Sequence, residues 1–505
     1  MVRAQAEKYQ KKTYLHFSGK TITYSELDGW CCSFANHLST GLKKQENTGI
    51  LLPNGVEFII AFIGSMYGNF TAMPYNTLLK ADELLYQLNH SEVKVLVTNS
   101  HFYNVIKPVL SSLKYINRFI LVDNPESVDA QDFWESIKKS NTELPGSFSS
   151  ISTDDIASMI YTSGTTGHPK AVMLSHSNYI NDIELVVPRI AYEEKDTNLC
   201  IMPLFHVNGQ VASVLSTIYA GASLVLEEMF KPRAFIPLLK KYKCNSFSAV
   251  PAMYNFLNEM PEYKDGEDLS FLKACICGAA PMPVEVFNKF EKKFKGKIIE
   301  GYGLSEGTCV SSLNPLNGER KIGSIGTPLE GQEMAIADES GQHLPDNQTG
   351  EIIVRGPNVM VGYFKNKEAT DEAIKNGWLH TGDMGYRDSD GYYFITGRKK
   401  EMVIRGGENI YPKEIEEVLY KHPDVVDCAI VGMPDKKYGE QVVAVIKLNE
   451  DSSENAKSIR TYLKEKIANF KMPARYEFVD DFPRTSTGKI QKLKLRDKLI
   501  EADES

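Results

Sequence analysis

Short apolar runs alternate with longer helical patterns through the first three hundred residues of the chain. Six runs rich in β-branched or small apolar residues lie at 94–100, 118–124, 198–204, 223–228, 273–281 and 297–303. Several of them end in turn-forming or small residues, which is typical of buried strands. Strands that alternate with helices predict α/β layers with substantial parallel sheet. In such sheets, ligand-binding loops lie at the carboxyl ends of the strands.

The helical patterns between these runs carry an apolar face. The clearest one follows Pro283, where Phe287, Phe290 and Phe294 recur at spacings of three and four residues among polar residues. Gly296 follows the last of these aromatic residues, as glycine often does at the end of a helix. The spacing predicts an amphipathic helix that packs on the sheet.

The pattern changes after about residue 308. Helical periodicity becomes rare, and glycine and proline punctuate short strands at 351–357 and 391–398. Frequent turn residues between short strands predict a β-rich subdomain. A charge cluster at 398–401 and the pair Gly406 and Gly407 then indicate an exposed hinge.

A different alternation of helices and strands fills the last hundred residues. A helix is expected near Pro412, followed by strands at 427–433 and 441–448 and a helix around 459–467. This order predicts a compact α+β unit. The fold class is therefore α/β, and two domains are expected. They are a large N-terminal domain of layered α/β subdomains plus the β-rich subdomain over 1–400, and a small mobile α+β domain over 401–505.

Composition and charge exclude several classes of protein. Hydrophobic residues at 42% and charged residues at 24% are typical of a soluble globular chain. A net charge of -8 provides no polybasic surface, so nucleic acid is not expected as a partner. The most apolar segment, 56–66, contains Glu57 and has about half the ~20 residues of a membrane-spanning helix, so no transmembrane segment is expected.

The N-terminus and the cysteines indicate a cellular compartment. Charges interrupt every apolar stretch of the first seventeen residues, which is unlike a secretory signal. The eight cysteines are sparse, and neither Cys31 with Cys32 nor Cys275 with Cys277 has a second pair at zinc-ligand spacing. Reduced structural thiols and a cytoplasmic location are therefore expected.

A segment rich in hydroxyl groups and glycine directly follows the strand-like run at 156–160. It contains Thr162, Ser163, Gly164, Thr165, Thr166 and Gly167, with Lys170 shortly after. Uncovered backbone amides, hydroxyl donors and a lysine cation suit a loop around phosphate oxygens. It is not a Walker loop, because Pro169 stands where that pattern requires glycine. A surface turn rich in serine and threonine is the alternative interpretation.

A second glycine-containing segment ends the strand-like run at 297–303. Its candidate residues are Glu300, Gly301, Tyr302, Gly303, Ser305 and Glu306. The glycine spacing differs from the dinucleotide fingerprint. The Tyr302 ring can stack on a flat base, and the Glu306 carboxylate can hold Mg²⁺ against phosphate oxygens. Taken alone, the segment is also compatible with a tight turn.

A third segment contains Asp383 and Arg398. An aspartate after glycine can accept hydrogen bonds from both hydroxyls of a ribose, and a nearby arginine can pair with ribose or phosphate. Between them, 388–391 predicts a hairpin turn. The same residues resemble the start of a calcium loop, but Lys399 occupies the position where that loop needs glutamate, so calcium is rejected.

A fourth segment, 483–490, contains Lys489 next to a glycine near the end of the chain. A lysine on such a loop can project a cation into a neighbouring cleft. Most lysines are instead solvated surface groups. The segment gains weight only in combination with the other three.

Together, the order and spacing of the four segments resemble the adenylate-forming superfamily of acyl-CoA synthetases, acid ligases, adenylation domains and beetle luciferases. The resemblance extends over nearly the whole chain, from 18–27 to the Lys489 loop. It implies an AMP-forming acid–CoA ligase. Such an enzyme activates a fatty, aryl or short carboxylic acid as acyl-AMP and transfers the acyl group to coenzyme A. ATP, Mg²⁺ and coenzyme A are the implied cofactors.

The resemblance also implies a role for each matching residue. The pyrophosphate loop would be Thr162 to Gly167 with Lys170. The adenine pocket would contain Gly278, Ala279 and Ala280 beside Tyr302, within a nucleotide site that also includes Glu300, Gly301, Gly303 and Ser305. Glu306 would be the magnesium ligand, Asp383 and Arg398 the ribose contacts, Lys489 the catalytic lysine and Lys400 the hinge. Two departures from the family pattern, Ala171 for glycine and Ser305 for threonine, keep size or hydroxyl character.

Two half-reactions follow from the resemblance. In the first, Lys489 would bridge the acid and the α-phosphate while the pyrophosphate leaves. In the second, the C-terminal domain would rotate about Lys400 and withdraw the lysine. Gly406 and Gly407 would then lie against a pantetheine tunnel, and the thiol would attack the acyl-AMP.

The segment at 202–210 resembles the acyl-pocket stretch of the family. His206 stands where amino-acid-activating members carry aspartate, so a free α-amino acid is disfavoured, and His206 would be the aromatic gate of the pocket. Asn208 and Gln210 either add polarity to the pocket or face away from it. Gly278 and Gly303 leave room in the pocket, so fatty, aryl and short polar acids all stay open.

Several alternatives stay open at this point. A stand-alone ligase that loads a carrier protein is one, and a luciferase-like monooxygenase is another, less favoured one. A nucleotide-binding relative without catalysis is disfavoured, because Glu306, Asp383 and Lys489 are all present. The expected partners are the acid, ATP and coenzyme A, and a homodimer stays open.

Overall fold

The computed structural model describes residues 1–123, 128–162, 169–485 and 488–504. These residues form helices and four sheets, each of which is mixed or antiparallel.

The α-helices of the described ranges are α1 (Val2–Tyr9), α2 (Tyr24–Ser39), α3 (Val56–Tyr67), α4 (Ala81–His90), α5 (Ser100–Ile106), α6 (Phe133–Lys139), α7 (His176–Arg189), α8 (Ser216–Ala220), α9 (Pro232–Tyr242), α10 (Pro251–Asn258), α11 (Val284–Phe294), α12 (Lys367–Ala373), α13 (Pro412–Leu419), α14 (Ala456–Lys464) and α15 (Lys492–Glu504). A π-helix spans Asn208–Leu215, and short 3-10 helices span Lys107–Ser112, Gly146–Ser150, Ser305–Gly307 and Asn469–Lys471.

The strands of the same ranges are β1 (Thr13–Phe17), β2 (Lys20–Thr23), β3 (Asn47–Leu51), β4 (Thr71–Pro74), β5 (Val95–Thr98), β6 (Arg118–Leu121), β7 (Gln131–Asp132), β8 (Ile156–Thr162), β9 (Lys170–Ser175), β10 (Thr197–Cys200), β11 (Ser223–Leu226), β12 (Ser246–Ala249), β13 (Ala274–Cys277), β14 (Ile298–Tyr302), β15 (Ser312–Leu313), β16 (Thr327–Pro328), β17 (Glu333–Ala337), β18 (Gly350–Arg355), β19 (Gly362–Tyr363), β20 (Ile374–Lys375), β21 (Trp378–Arg387), β22 (Tyr393–Arg398), β23 (Val403–Arg405), β24 (Glu408–Ile410), β25 (Val425–Asp435), β26 (Gly439–Leu448) and β27 (Arg475–Phe478).

The first two sheets confirm the expected α/β layering. In one, the order is β16-β15-β14-β13-β12-β10-β11-β1-β2, and the strands from β14 to β1 are parallel. In the other, the order is β19-β9-β8-β4-β3-β5-β6-β7, with parallel pairing from β8 through β7. Each of the six strand-like runs of the sequence overlaps one of these strands.

Helix α11 shows how the sequence determines the packing of these layers. Phe287, Phe290 and Phe294 are all buried, as their spacing predicts. The helix ends at Phe294, because Lys295 adopts a left-handed backbone with φ 53°. Gly296 lies one residue beyond that turn.

The third sheet is the predicted β-rich subdomain. Its order is β17-β18-β21-β20, and β22 pairs with β21 through the hairpin predicted at 388–391. All of its pairings are antiparallel. The turn is closed by a hydrogen bond from the Gly391 N–H to the Asp388 carbonyl, 3.0 Å long.

The fourth sheet, with order β24-β23-β26-β25 and β27 beside β26, forms the small C-terminal unit together with α13 and α14. It has an apolar core of its own, which includes Ile415, Ile430, Val442 and Ile459. The third sheet ends at Arg398 and the fourth begins at Val403. The domain boundary at residue 400 and the mobility of the C-terminal unit stay predictions.

Two further expectations concern buried groups and membranes. Helix α3 is almost entirely buried, as the apolar segment at 56–66 predicts. All eight cysteines are buried free thiols. None of the helices in the described ranges has the length and apolar character that a membrane crossing requires.

Candidate active site

The hairpin between β8 and β9 carries the first predicted segment. Thr162 ends β8 and Lys170 begins β9, and the two residues face each other as a cross-strand pair. The remaining residues predicted for the phosphate loop lie outside the described residues; they are Ser163, Gly164, Thr165, Thr166 and Gly167. The two ends of the segment are therefore fixed on a sheet next to the cleft.

Glu306 lies on a 3-10 turn directly after β14 and meets this hairpin. Its Oε1 accepts a hydrogen bond from the Thr162 hydroxyl at 3.3 Å and a second one from the Tyr363 hydroxyl at 3.0 Å. No group of three or more histidine, cysteine or acidic residues that could hold a metal occurs in the described ranges. A single carboxylate fits Mg²⁺, which commonly takes one or two carboxylates together with substrate phosphates and water.

A second cluster joins Tyr302, Asp383 and Arg398. The Tyr302 hydroxyl donates to Asp383 Oδ2 at 2.7 Å, and Arg398 Nε lies 3.0 Å from Asp383 Oδ1. Asp383 and Arg398 are paired across β21 and β22, which fixes their separation. The charge of Asp383 raises the pKa of the Arg398 guanidinium, and burial raises the pKa of the Tyr302 hydroxyl. A nearly buried carboxylate is thus held in one orientation by two donors.

Lys489 lies on a tight hairpin of the C-terminal unit. The Thr485 N–H donates to the Lys489 carbonyl at 2.8 Å, and the Gly488 N–H donates to the Thr485 carbonyl at 2.9 Å. Gly488 has φ 80°, a backbone conformation that favours glycine. The Arg484 guanidinium donates to the Gly488 carbonyl and forms an ion pair with Asp427. The hairpin is therefore anchored within its own unit.

The Lys489 side chain points into the cleft of the N-terminal body. Burial, together with the positive charge of Arg398, lowers the pKa of its ammonium to about 8, while the charges of Asp383 and Glu306 oppose this shift. Since charges from both clusters act on Lys489, its side chain lies near both of them. The structure thus brings together the segments that the sequence places at 162, 306, 383, 398 and 489.

His206 is also part of this cleft. Burial lowers the pKa of its imidazole to about 4, and the charge of Lys489 contributes to the same shift. The ring lies beside Phe205, with the two centroids 4.6 Å apart. His206 is therefore neutral at physiological pH, and it provides a flat, uncharged wall next to the lysine.

Glu300 has a different environment from the one its motif suggests. It is almost fully buried, and its Oε1 accepts a hydrogen bond from the Met282 N–H at 3.4 Å. Burial raises the pKa of this carboxyl to about 7. The side chain thus supports the loop after β13, which contains Gly278, Ala279 and Ala280. A direct role of Glu300 in nucleotide binding stays a prediction.

The two glycines Gly303 and Gly278 differ in whether the backbone around them requires glycine. A Cβ at Gly303 would lie 1.6 Å from the Cys309 carbonyl oxygen, so the close approach of the backbone requires glycine there. The expectation that Gly303 leaves room for the acid is therefore wrong. A Cβ at Gly278 would be 3.6 Å from the Gly301 carbonyl oxygen, an ordinary contact.

The predicted hinge Lys400 lies near the charges of the cleft, whereas the glycine pair contacts its own unit. Burial lowers the pKa of Lys400, and the charges of Lys170 and Arg398 add to this effect. Gly406 and Gly407 have φ values of 60° and 89°. The Gly406 N–H donates to the Tyr438 carbonyl at 2.8 Å, so the pair belongs to the C-terminal unit in this arrangement.

The π-helix after His206 shows the direction of one of the two side chains whose orientation the sequence left open. Gln210 accepts from the Tyr179 hydroxyl and donates to the Leu204 carbonyl, both at 2.8 Å, and it is buried. Gln210 therefore stabilises the core. Asn208 Oδ1 is buried and has no hydrogen-bond partner among the described residues.

Tyr363 was not identified from the sequence. It contacts Glu306 through its hydroxyl, and the Lys170 ammonium lies 4.9 Å from its ring centroid. Its strand, β19, has only two residues, which is too short to show an alternating pattern. The pairing of β19 with β9 brings it to the site.

Comparison with family models gives two matches. Residues 2–364 match the AMP-binding enzyme model, and residues 414–489 match the model of the AMP-binding enzyme C-terminal domain. The first match alone covers more than half of the chain.

Curated relatives and solved structures agree with these matches. The chain is 34% identical to a long-chain-fatty-acid–CoA ligase of Bacillus subtilis, covering 97% of this chain and 92% of the relative. It is also 34% identical to an oxalate–CoA ligase of Arabidopsis thaliana, covering 96% and 95%. Among structures, ATP-bound MatB from Rhodopseudomonas palustris has a TM-score of 0.91 at 28% identity, covering 98% of both chains. An anthranilate CoA ligase in complex with anthranoyl-AMP has a TM-score of 0.94 at 28% identity, covering 100% and 97%.

Proposed function

Since the chain belongs to the AMP-binding enzyme family and is an AMP-forming acid–CoA ligase, we propose that residues of the cleft described above carry its two half-reactions. The proposal is carried by the burial of Lys489 near residues of both clusters, whose charges act on its ammonium. ATP binds with its phosphates at the first cluster and its ribose at the second. The carboxylic acid lies beside His206, and coenzyme A is the acceptor.

The phosphate end of ATP binds at the hairpin of Thr162 and Lys170. Mg²⁺, when bound, neutralises charge on the phosphate oxygens, and Glu306 is the residue that would hold it. Lys170 adds a cation for the leaving pyrophosphate. The support for this assignment is the meeting of Thr162 and Glu306 at 3.3 Å. The residues predicted at 163–167 complete the loop in the proposal.

The ribose end binds at Asp383. A carboxylate held by Tyr302 and Arg398 keeps further lone pairs on its two oxygens and can accept both ribose hydroxyls. The adenine lies between Tyr302 and the loop of Gly278, Ala279 and Ala280, which Glu300 supports from behind. These positions orient the α-phosphate toward the acid.

Lys489 acts in the first half-reaction. The acid carboxylate attacks the α-phosphate, the bond from that phosphorus to the bridging oxygen breaks, and pyrophosphate leaves. The ammonium of Lys489 stabilises the charge that develops between the two anions, as a preorganised donor does. His206 is neutral, so it adds no second charge beside the acid and presents an aromatic wall to the acyl group.

The second half-reaction requires a different arrangement of the two domains. We place the boundary between them at Lys400, with 1–400 as the N-terminal body and 401–505 as a mobile lid. Rotation about Lys400 withdraws Lys489 and brings Gly406 and Gly407 to the pantetheine path. The thiol then attacks the acyl-AMP carbonyl, and AMP leaves. The positive φ values of the two glycines support a backbone that approaches a ligand closely.

The function is tested with a panel of fatty, aryl and short polar acids, assayed for AMP release with and without coenzyme A. We expect at least one acid to give multiple turnovers only when coenzyme A is present. Acyl-AMP formation that stops after one turnover with coenzyme A, and that proceeds only when a carrier protein is added, indicates a carrier-loading ligase instead. Light emission or oxygen uptake with a trial luciferin would point to a monooxygenase.

The pH dependence of the first half-reaction reports on Lys489. Its ammonium form is the active one, and its pKa is lowered to about 8, compared with 10.5 for an ordinary lysine. The kcat/KM for ATP in ATP–pyrophosphate exchange is therefore expected to fall as the pH rises through about 8. Because a guanidinium stays protonated, Lys489→Arg should be slower but flat between pH 7 and about 10. A parent profile that stays flat up to pH 10 contradicts the assignment.

Two expectations from the sequence stay predictions. The homodimer is tested by sedimentation velocity of the full chain. The cytoplasmic location is tested by fractionation of the source cells. Neither result affects the assignment of the cleft.

A further inference from the structure

The backbone of Tyr363 is fixed on both sides. Its strand β19 pairs antiparallel with β9, in register with Val172, two residues after Lys170. Its N–H donates to the Thr370 hydroxyl of α12 at 2.9 Å. The direction of the tyrosine side chain is therefore determined by a sheet and a helix together.

The hydroxyl of Tyr363 donates a hydrogen bond to one oxygen of the Glu306 carboxylate. Oε1 receives hydrogen bonds from Tyr363 and from Thr162, at 3.0 Å and 3.3 Å. Within the described residues, no hydrogen bond reaches Oε2. The carboxylate is thus oriented with Oε2 as its open oxygen.

The ring of Tyr363 contacts a positive charge, the ammonium of Lys170. The Lys170 ammonium lies 4.9 Å from the ring centroid, within the range of a cation–π contact. One side chain therefore contacts both a carboxylate and an ammonium of the phosphate end. Because Glu306 is bound by the Tyr363 hydroxyl and Lys170 by the Tyr363 ring, the two charges do not pair with each other. Both can therefore interact with a ligand.

We propose that Tyr363 is a positioning residue that directs Glu306 Oε2 toward a divalent metal and keeps Lys170 from pairing with Glu306. The inference rests on the proposed function, because it assigns the metal of the ATP complex to Glu306. Tyr363 does not touch the reacting atoms. Its hydroxyl acts through the carboxylate, and its ring acts through the ammonium.

Two substitutions separate the two contacts. Tyr363→Phe removes the hydroxyl and keeps the ring, whereas Tyr363→Leu removes both. A control with no contact to either charge is Tyr386→Phe, on β21 of the third sheet, where the ring of Tyr386 stacks on Phe394 at 5.0 Å. All three variants retain a side chain of apolar character at the position.

Metal binding is measured without turnover, by electron paramagnetic resonance of free Mn²⁺ in the presence of the enzyme and α,β-methylene-ATP. We expect Tyr363→Phe to raise the Mn²⁺ dissociation constant about tenfold, because a hydrogen bond to a charged group is lost. Inhibition by pyrophosphate should change little in Tyr363→Phe and weaken in Tyr363→Leu. Tyr386→Phe should match the parent in both measurements.

The outcomes distinguish this inference from the proposed function. A Tyr363→Phe enzyme that binds Mn²⁺ as the parent does overturns the inference, even when the parent turns over normally. Failure of every acid to release AMP with the parent instead overturns the proposed function. Tyr363→Phe is the smaller change and decides the metal claim by itself if Tyr363→Leu does not fold.

Discussion

Replacing Lys489 with alanine is expected to reduce acyl-AMP formation by about a hundredfold or more, while thioester formation from supplied acyl-AMP continues. The magnitude is that of removing one preorganised donor from a transition state. The hairpin should persist in Lys489→Ala, because backbone hydrogen bonds and Arg484 hold it. ATP–pyrophosphate exchange measures the first half-reaction, and supplied acyl-AMP with coenzyme A measures the second.

A lysine on the C-terminal helix, close to Lys489 in the sequence, provides the control for this experiment. Lys494 is exposed on α15, five residues beyond Lys489. Lys494→Ala removes an equal charge and should keep both half-reactions within about twofold, as most exposed substitutions do. Equal exchange rates in Lys489→Ala and the parent would falsify the assignment.

Replacing Asp383 with asparagine is expected to reduce kcat/KM for ATP about a hundredfold. The amide keeps the shape of the side chain but loses the charge that Arg398 and the ribose hydroxyls need. Each hydrogen bond to a charged acceptor contributes about 1.5–3 kcal/mol. The KM for ATP should rise more than kcat falls, because the ribose is bound in both the ground state and the transition state.

Deoxynucleotides make this prediction specific. The parent should prefer ATP to 2′-deoxy-ATP and 3′-deoxy-ATP, and Asp383→Asn should lose most of that preference. Asp371 on α12 is an exposed aspartate in a surface ion pair with Lys367, and Asp371→Asn is the matched control. A parent-like preference for ATP in Asp383→Asn would show that the ribose binds elsewhere.

Most of the fold could be predicted, because buried strands and amphipathic helices leave a local pattern. The six apolar runs of the first three hundred residues all overlap strands of the first two sheets. The β1–β2 hairpin could not be placed in this way. It adds to the first sheet through Leu15 and Leu224, which are about two hundred residues apart in the chain. Only tertiary packing determines such a partner.

The candidate site could be predicted where several residues of one motif act together. Thr162, Glu306, Asp383 and Lys489 belong to such motifs, and the structure brings them to one cleft. Tyr363 could not be found, because its position depends on a two-residue strand that pairs with β9. The requirement for glycine at Gly303 could not be explained from the sequence either, since it depends on the distance to the backbone of Cys309.

The hairpin of Lys489 has a kinetic consequence. Arg484 ties it to Asp427, and Lys492 just beyond it lies 2.8 Å from Glu416 of α13. Toward the N-terminal body, a Cβ added at Gly488 would lie 3.4 Å from Val250 and 3.5 Å from Ala252, so the hairpin passes close to two apolar side chains. Under the proposed rotation, the lysine therefore travels as part of a rigid body. The time between successive adenylations then reflects the rotation of the whole C-terminal unit.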